Sequence, residues 1–259
     1  AGAEAVAVRM IHVIGIGAGD PDYVTAQAVR ALNDTDVFFA MDKGEAKNDL
    51  VELRRDICRR FIDEPRYRFV ELPDPRRAPV AVSDGAAGDY ARTVTDWHAE
   101  RARLWADAIV TELGPDGVGA FLAWGDPSLY DSTLRILDEV AQHVELTYDV
   151  IPGITAVQAL TARHRIPLND VGEPVLITTG RRLRQDGLRG SAVVMLDGDC
   201  AFRTCAPETL IWWGAYLGTP DEVLVSGTVR AVGDQIIEKR ALARAAHGWI
   251  MDIYLLRQA

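Results

Sequence analysis

The chain is poor in the groups on which several protein classes depend. Only three cysteines occur, Cys58, Cys200 and Cys205. They form no C-x-x-C pair and cannot all be bridged to one another, so the expected compartment is a reducing one, the cytoplasm. Cations are in deficit: 28 Lys and Arg against 38 Asp and Glu give a formal net charge of -10. Phosphate backbones are bound mainly by Lys and Arg, so a nucleic-acid partner is not expected. An anionic small molecule held by a local arginine cluster stays open. No apolar run is long enough to span a bilayer and no basic segment leads into a signal-peptide core, so no membrane partner is expected. The five histidines, at positions 12, 98, 143, 164 and 247, show no metal-ligand spacing, and no metal is expected. Internal repeats and low-complexity tracts are also missing.

What remains is the composition of a globular protein, 48% hydrophobic and 25% charged. The 259 residues can bury a real core and allow one large or two small domains. The first ten residues, Ala/Val-rich but carrying Glu4 and Arg9, are expected to be a flexible extension ahead of a strand starting near Ile11.

Ile11–Ile16 is an apolar run, broken only by His12 and ending in glycines, the pattern of a strand buried on both faces. Helical and strand patterns then alternate: a helix over Val24–Leu32, a strand over Val37–Ala40, a helix carrying Leu50, Leu53, Ile57 and Phe61, and a strand over Tyr67–Leu72. Pro73 to Gly88 holds three prolines and two glycines and predicts a lid or surface excursion. A long helix over Asp89–Glu112, a strand over Val118–Trp124, a helix over Thr133–Gln142 and a strand over Val144–Val150 follow. Such alternation implies right-handed βαβ units and a parallel sheet. After Ile151-Pro152-Gly153 the strand candidates Pro174–Thr179, Ala192–Leu196, Thr209–Trp213, Glu222–Ser226 and Trp249–Leu256 are separated by less regular helices. The fold class is therefore α/β. Its expected domains are an N-terminal one over 11–151 with a mostly parallel sheet and a C-terminal one over 152–259 with a mixed sheet, after the extension over 1–10.

Three loops carry the chemical signal. Gly15-Ile16-Gly17-Ala18-Gly19-Asp20-Pro21 follows the first strand, where closely spaced glycines let backbone approach a ligand. It is not a dinucleotide fingerprint, because Asp20 stands where the last glycine belongs and would repel a pyrophosphate; no GK[ST] follows, so it is not a P-loop. A plain tight turn is the alternative. Trp124-Gly125-Asp126-Pro127-Ser128-Leu129-Tyr130 closes the fourth strand, at the carboxyl edge where open α/β sheets bind ligands. There Asp126 either caps the next helix or brings its neighbouring backbone to a cofactor. In Ile151-Pro152-Gly153-Ile154-Thr155-Ala156, Thr155 either caps a helix or offers its hydroxyl to a ligand.

Taken in order, G-x-G-A-G-D-P, G-D-P-x-x-Y and P-G-I-T-A resemble the tetrapyrrole methylases. The pattern of that family is a Gly-rich first loop, D-P-x-x-(hydrophobic)-T, a G-D-P loop and P-G-(I/V)-(S/T)-(S/A). The resemblance runs from Ile11 to about Arg257, and departs where the family usually has proline and this chain has Ala18. The segments Phe38–Lys47, Val194–Asp199, Trp212–Pro220 and Gly248–Tyr254 look like the branch that makes precorrin-6A with loss of acetate.

The resemblance implies S-adenosylmethionine folded in a cleft between the two domains. It assigns Trp124, Gly125, Asp126 and Leu129 to the cofactor from the G-D-P loop, and Thr155 and Ala156 from the P-G-I-T-A turn. Leu196, closing one strand, and Gly214, after the next, would hold the adenine, with Gly17 and Ala18 near the reacting methyl. Asp42, a turn residue on the plainest reading and a ribose-binding acid on a Rossmann one, would face the acceptor and serve as general base. Lys43, Arg181, Arg182 and Arg184 would pair with substrate carboxylates or be solvated surface charge; Arg163 and Arg165 are weaker candidates. The implied reaction is methylation of precorrin-5 at C-1 with release of acetate, by a homodimer. The competing readings are a tetrapyrrole methylase acting at another ring carbon, a relative that methylates protein or RNA, a nicotinamide-dependent dehydrogenase and a non-catalytic cofactor binder.

Overall fold

A computed structural model describes residues 8–42, 48–73 and 87–258. In chain order the elements are β1 (Arg9–Gly15), α1 (Ala26–Asp34), β2 (Val37–Asp42), α2 (Asn48–Phe61), β3 (Arg68–Pro73), α3 (Ala87–Glu112), β4 (Val118–Ala123), α4 (Thr133–Val140) and β5 (Leu146–Ile151). They are followed by α5 (Ala156–His164), β6 (Val175–Thr179), α6 (Gly180–Asp186), β7 (Ser191–Met195), β8 (Leu210–Ala215), β9 (Val223–Thr228), α7 (Val229–His247) and β10 (Asp252–Arg257). Each expected strand and helix is present, with ends shifted by a few residues. The expected excursion over 73–88 lies almost wholly outside the described residues, as do residues 1–7 of the expected extension.

Two compact units result. One comprises the residues through Ile16 together with Val24–Gly153; the other comprises Gly17–Tyr23 together with the residues from Ile154 onward. In the first, five strands run in the order β3-β2-β4-β1-β5, every neighbouring pair parallel. Period-two alternation sends successive side chains to opposite faces. Phe39 and Phe121 pack with Trp105 and Ile109 of α3 and Ile136 of α4, while Phe38 and Leu122 pack with Leu32 of α1 and Ile57 of α2. A sheet buried on both faces needs largely apolar strands, and Ile11–Ile16 supplies one broken only by His12, whose Nε2 meets Asp34.

The covering helices define where a ligand can enter. The helices after β1 and β2 lie on one face, and the helix after β4, the strand between them, lies on the other. Loops leaving in opposite directions open a crevice at the carboxyl ends of the strands. β4 therefore has such a crevice on each side. In the second unit the order is β6-β7-β10-β8-β9, with β6–β7 parallel and the other pairs antiparallel. Its core gathers Val194, Phe202, Ile211, Trp213, Ile236 and Tyr254.

Candidate functional site

At the β1/β4 crevice three backbones touch. A Cβ placed on Gly15 would stand 2.6 Å from the Gly153 nitrogen, and one on Gly153 would collide with the Gly125 carbonyl oxygen. Glycine is required here by close approach rather than by a turn alone. Asp126 fastens the loops together: one carboxylate oxygen accepts from the Gly153 N–H at 2.9 Å, the other from the Ser128 N–H at 2.8 Å and from the Ser128 hydroxyl. Burial pushes the Asp126 carboxyl up, but these hydrogen bonds outweigh it and leave it below the usual carboxylate value.

The carboxylate is thus engaged by the backbone and side chain of its own chain, and it holds the G-D-P loop against Gly153. Asp126 does not cap the next helix; Ser132 occupies the N-cap of α4. Gly125 has a φ of +66° and Tyr130, five residues on, +51°, a left-handed conformation that is costly for tyrosine. The Trp124 indole N–H is buried with no acceptor among the described residues. Leu129 is half-buried.

The remaining cofactor candidates lie in the second unit. Gly17 has a φ of +81°, and its Cα abuts the Tyr23 side chain, where a Cβ would stand 2.5 Å away. Ala18 is buried. Gly19 and Gly218 bring this loop onto the turn after β8: a Cβ on Gly218 would meet the Asp20 nitrogen at 2.6 Å. Glu222 holds that turn by accepting from the Gly218 N–H at 2.8 Å, and pairs with Arg163.

Thr155 is the N-cap of α5 in a full capping box: its hydroxyl accepts from the Val157 N–H at 3.0 Å, and Gln158 accepts from its own N–H at 3.1 Å. The capping role anticipated for it is therefore filled, and Ala156 begins the helix. Gly214 was expected after a strand but lies inside β8, paired to Ile253 and Leu224. The strand runs two residues beyond Trp213 because β10 and β9 flank it on both sides. Leu196 follows β7 with a φ of +51° and 68% of its surface exposed, an apolar side chain held outward on strained backbone.

Beneath Leu196 is a buried polar group that sequence reasoning missed. Asp197 accepts from the Tyr254 hydroxyl and from the Ala201 N–H, both at 2.6 Å. Arg240 donates to the Asp197 carbonyl at 2.5 Å and to Asp252 at 2.9 Å, and the Trp213 indole also donates to Asp252 at 2.9 Å. Burial raises the Asp252 carboxyl above its usual value, against the pull of Arg240. Spacings of 43 and 57 residues leave no local signal for such a group.

Asp42 closes β2 opposite Pro73 of β3, at the carboxyl edge of the parallel sheet, and Lys43 lies outside the described residues. Arg181, Arg182 and Arg184 are exposed on α6. Arg182 pairs with Asp186 and Arg184 with Asp199, each at 2.9 Å, as surface charges commonly do. Burial depresses His164, whose Nε2 lies 3.0 Å from the Trp213 carbonyl oxygen. Among the described residues no group of three or more His, Cys, Asp or Glu is placed to hold a metal, and no helix is long and apolar enough to cross a membrane. Arg54 and Arg101 were also passed over, yet both line a cavity beside β4.

Residues 10–233 match the family described as Tetrapyrrole (Corrin/Porphyrin) Methylases. The chain is 53% identical over 256 residues to precorrin-6A synthase [deacetylating] of Sinorhizobium sp., covering 97% of this chain and 96% of that protein. A crystal structure described as a cobalamin synthesis related protein, CobF, of Corynebacterium diphtheriae is 42% identical with a TM-score of 0.83, covering 97% and 99% of the two chains. Uroporphyrin-III C-methyl transferase of Thermus thermophilus, solved with S-adenosyl homocysteine, shares the fold at 17% identity, with a TM-score of 0.61 and coverage of 96% and 97%.

Proposed function

Because the chain belongs to the tetrapyrrole (corrin/porphyrin) methylases, we propose that it is an S-adenosylmethionine-dependent C-methyltransferase of cobalamin biosynthesis, converting precorrin-5 to precorrin-6A by methylation at C-1 with release of acetate. The observation that carries this reading is identity of 53% sustained over 97% of the chain to a protein named for that step. A match confined to the glycine loops would speak for the family alone. The proposal is completed by a cytoplasmic homodimer, supported by three free cysteines and by exposed Leu176 and Ile177 on the edge strand β6.

The cofactor supplies, when bound, an electrophilic methyl on a sulfonium sulfur. Residues of the chain suit it in space and polarity. Gly125 and Gly17 present backbone without a Cβ, Trp124 carries a buried N–H with no acceptor among the described residues, and Leu196 offers an exposed apolar surface. The cofactor positions assigned by motif stand as the proposal, with Asp126 and Thr155 contributing backbone because their side chains are engaged in the chain itself. What the protein adds to methyl transfer is alignment and exclusion of water, the first able to supply ~7–11 kcal/mol of the barrier. Asp42 takes a proton from the water that adds to the acyl carbonyl, and Lys43, Arg181, Arg182 and Arg184 meet substrate carboxylates.

The test is the stoichiometry of one reaction mixture. With precorrin-5 and S-adenosylmethionine, each methyl transferred should be matched by one acetate, carrying oxygen-18 when the water does. Methylation without acetate, or at another ring carbon, would move the protein to a different branch. Asp42→Asn should lower kcat about 10²–10⁴-fold with cofactor affinity unchanged; wild-type turnover would remove Asp42 from the chemistry.

A further inference from the structure

In the second unit a strained, outward residue stands directly beside a buried charge. Leu196, the first residue beyond β7, is left-handed at φ +51° and 68% exposed, whereas Asp197 next to it is 6% exposed. A residue other than glycine keeps such a backbone only where its surroundings over-determine it. Here they do. The Asp197 carboxylate accepts from the Tyr254 hydroxyl and the Ala201 N–H, both at 2.6 Å, and from the Asp199 N–H at 3.0 Å. It also lies against the first residue of α6, since a Cβ on Gly180 would collide with it. The Asp197 carbonyl accepts from Arg240 at 2.5 Å. The residue after Leu196 is therefore fixed through both its side chain and its backbone.

The anchors come from the best-buried part of the unit. Tyr254 stands in β10 opposite Val194 of β7, and its ring meets Phe202 edge-on at 5.5 Å. Burial and the Asp197 carboxylate raise its hydroxyl above the ordinary value, so it stays a donor. Arg240 reaches in from α7, and its Nε donates to Asp252, which the Trp213 indole of β8 also holds. A frame of β8, β10 and α7 thus grips the end of β7. Stability alone is a poor reason for it, because buried ion pairs are commonly matched by apolar packing of similar volume. What such a frame adds is one conformation at the place it grips. That place is the backbone carrying Leu196, an apolar side chain left largely exposed.

We infer that Asp197, Tyr254 and Arg240 are positioning residues for the cofactor: they preform Leu196 as an outward apolar contact for its purine ring. The inference rests on the proposed reading that Leu196 meets the cofactor. The three act through Leu196 and not by touching the ligand themselves. Preorganisation lowers the cost of binding and leaves the methyl-transfer step alone. Their loss should therefore appear in cofactor affinity and not in kcat.

The probe is S-adenosylhomocysteine titrated into the full chain by calorimetry, with KM for S-adenosylmethionine and kcat measured beside it. Calorimetry needs no precorrin, so the binding arm stands apart from the reaction assigned above. Leu196→Ala should weaken binding about tenfold. Tyr254→Phe keeps the ring and removes one bond to Asp197; it should weaken binding about two- to tenfold while kcat at saturation holds. The double variant decides between a positioning role and a merely structural one. If Tyr254 acts through Leu196, adding Tyr254→Phe to Leu196→Ala costs little further affinity, whereas independent effects multiply. Arg240→Lys keeps the charge beside Asp252 and gives up the fork to the Asp197 carbonyl, and should couple to Leu196→Ala in the same way. Should one of these variants fail to fold, the other carries the same cycle. Ile211→Val, in the same core at the other end of β8, controls for general loosening and should leave affinity unchanged.

Tyr254→Phe and Arg240→Lys proteins that bind as wild type does, or whose losses multiply with that of Leu196→Ala, would overturn the positioning role and leave the cofactor reading in place. An equal loss in Ile211→Val would do the same. Wild-type affinity in Leu196→Ala would remove the cofactor reading of Leu196 itself, and the inference with it.

Discussion

The two units differ in what they bury. Among the described residues of the first, the buried polar or charged residues are Thr35 and Arg101; those of the second are Thr178, Ser191, Asp197, Thr209 and Arg240. The first unit shapes the ends of its parallel strands with backbone, through Gly15, Gly125 and Gly153. The second shapes the end of β7 with side chains, through Asp197, Tyr254, Arg240 and Asp252. A parallel sheet has its loops leaving at one edge, where glycine lets them converge. A largely antiparallel sheet sends connections both ways, and its β7–β8 loop is pinned from below by charge and hydrogen bonds. The ends of β1, β4 and β5 should therefore be sensitive to volume, and the end of β7 to polarity.

Arg240→Met is expected to give the largest effect. Removing one partner of a buried pair strands Asp252 and typically costs about 3–5 kcal/mol. Denaturant unfolding should register the loss, and hydrogen exchange should place it in β7 and β10 while β1 and β4 keep their protection. Equal loss of protection in both sheets would erase the contrast. Gly153→Ala comes next, at about 1–3 kcal/mol, because its Cβ meets backbone on two sides. Gly198→Ala, with nothing within 4 Å of its Cβ, is the matched change in the second unit and should be nearly silent. A Gly153→Ala protein as stable as Gly198→Ala would show that volume is not what the first unit guards.

The smallest effect belongs to Asp126→Asn, about 1 kcal/mol near neutral pH. Because the folded carboxyl lies below its ordinary value of 3.8, its contribution is present above that value and is lost as pH falls through the folded one. The stability gap between wild type and variant should therefore close in acid. A gap that persists unchanged to low pH would mean that the charge of Asp126 is not what ties Gly153.

Much of this could be read from residues alone because the signals are local. Strands β1 and β4 declare themselves by apolar runs that end in glycine, and α2 by Leu53 and Ile57 at helical spacing. The three glycine loops fall at strand ends, and their order along the chain carries the resemblance to the family. Their partners are another matter. That Asp126 holds Gly153, 27 residues away, depends on β4 and β5 both flanking β1, which no window of sequence contains. Gly214 read as a residue beyond its strand because only pairing to β9 and β10 extends β8 past Trp213.

Arg54 is followed by Arg55 and sits in a helix with Arg59 and Arg60, so its neighbours argue for a solvated face. What turns it inward is the end of the β2–β4 ladder. The sequence by itself determined the elements, the positions of the loops and the family they resemble, since propensity, periodicity and turn chemistry act over a few residues. Which side chains converge on the cavity beside β4, and which charges are buried under Leu196, was decided only when distant segments packed. The energy of those contacts exists only between partners that the sheet order brings together.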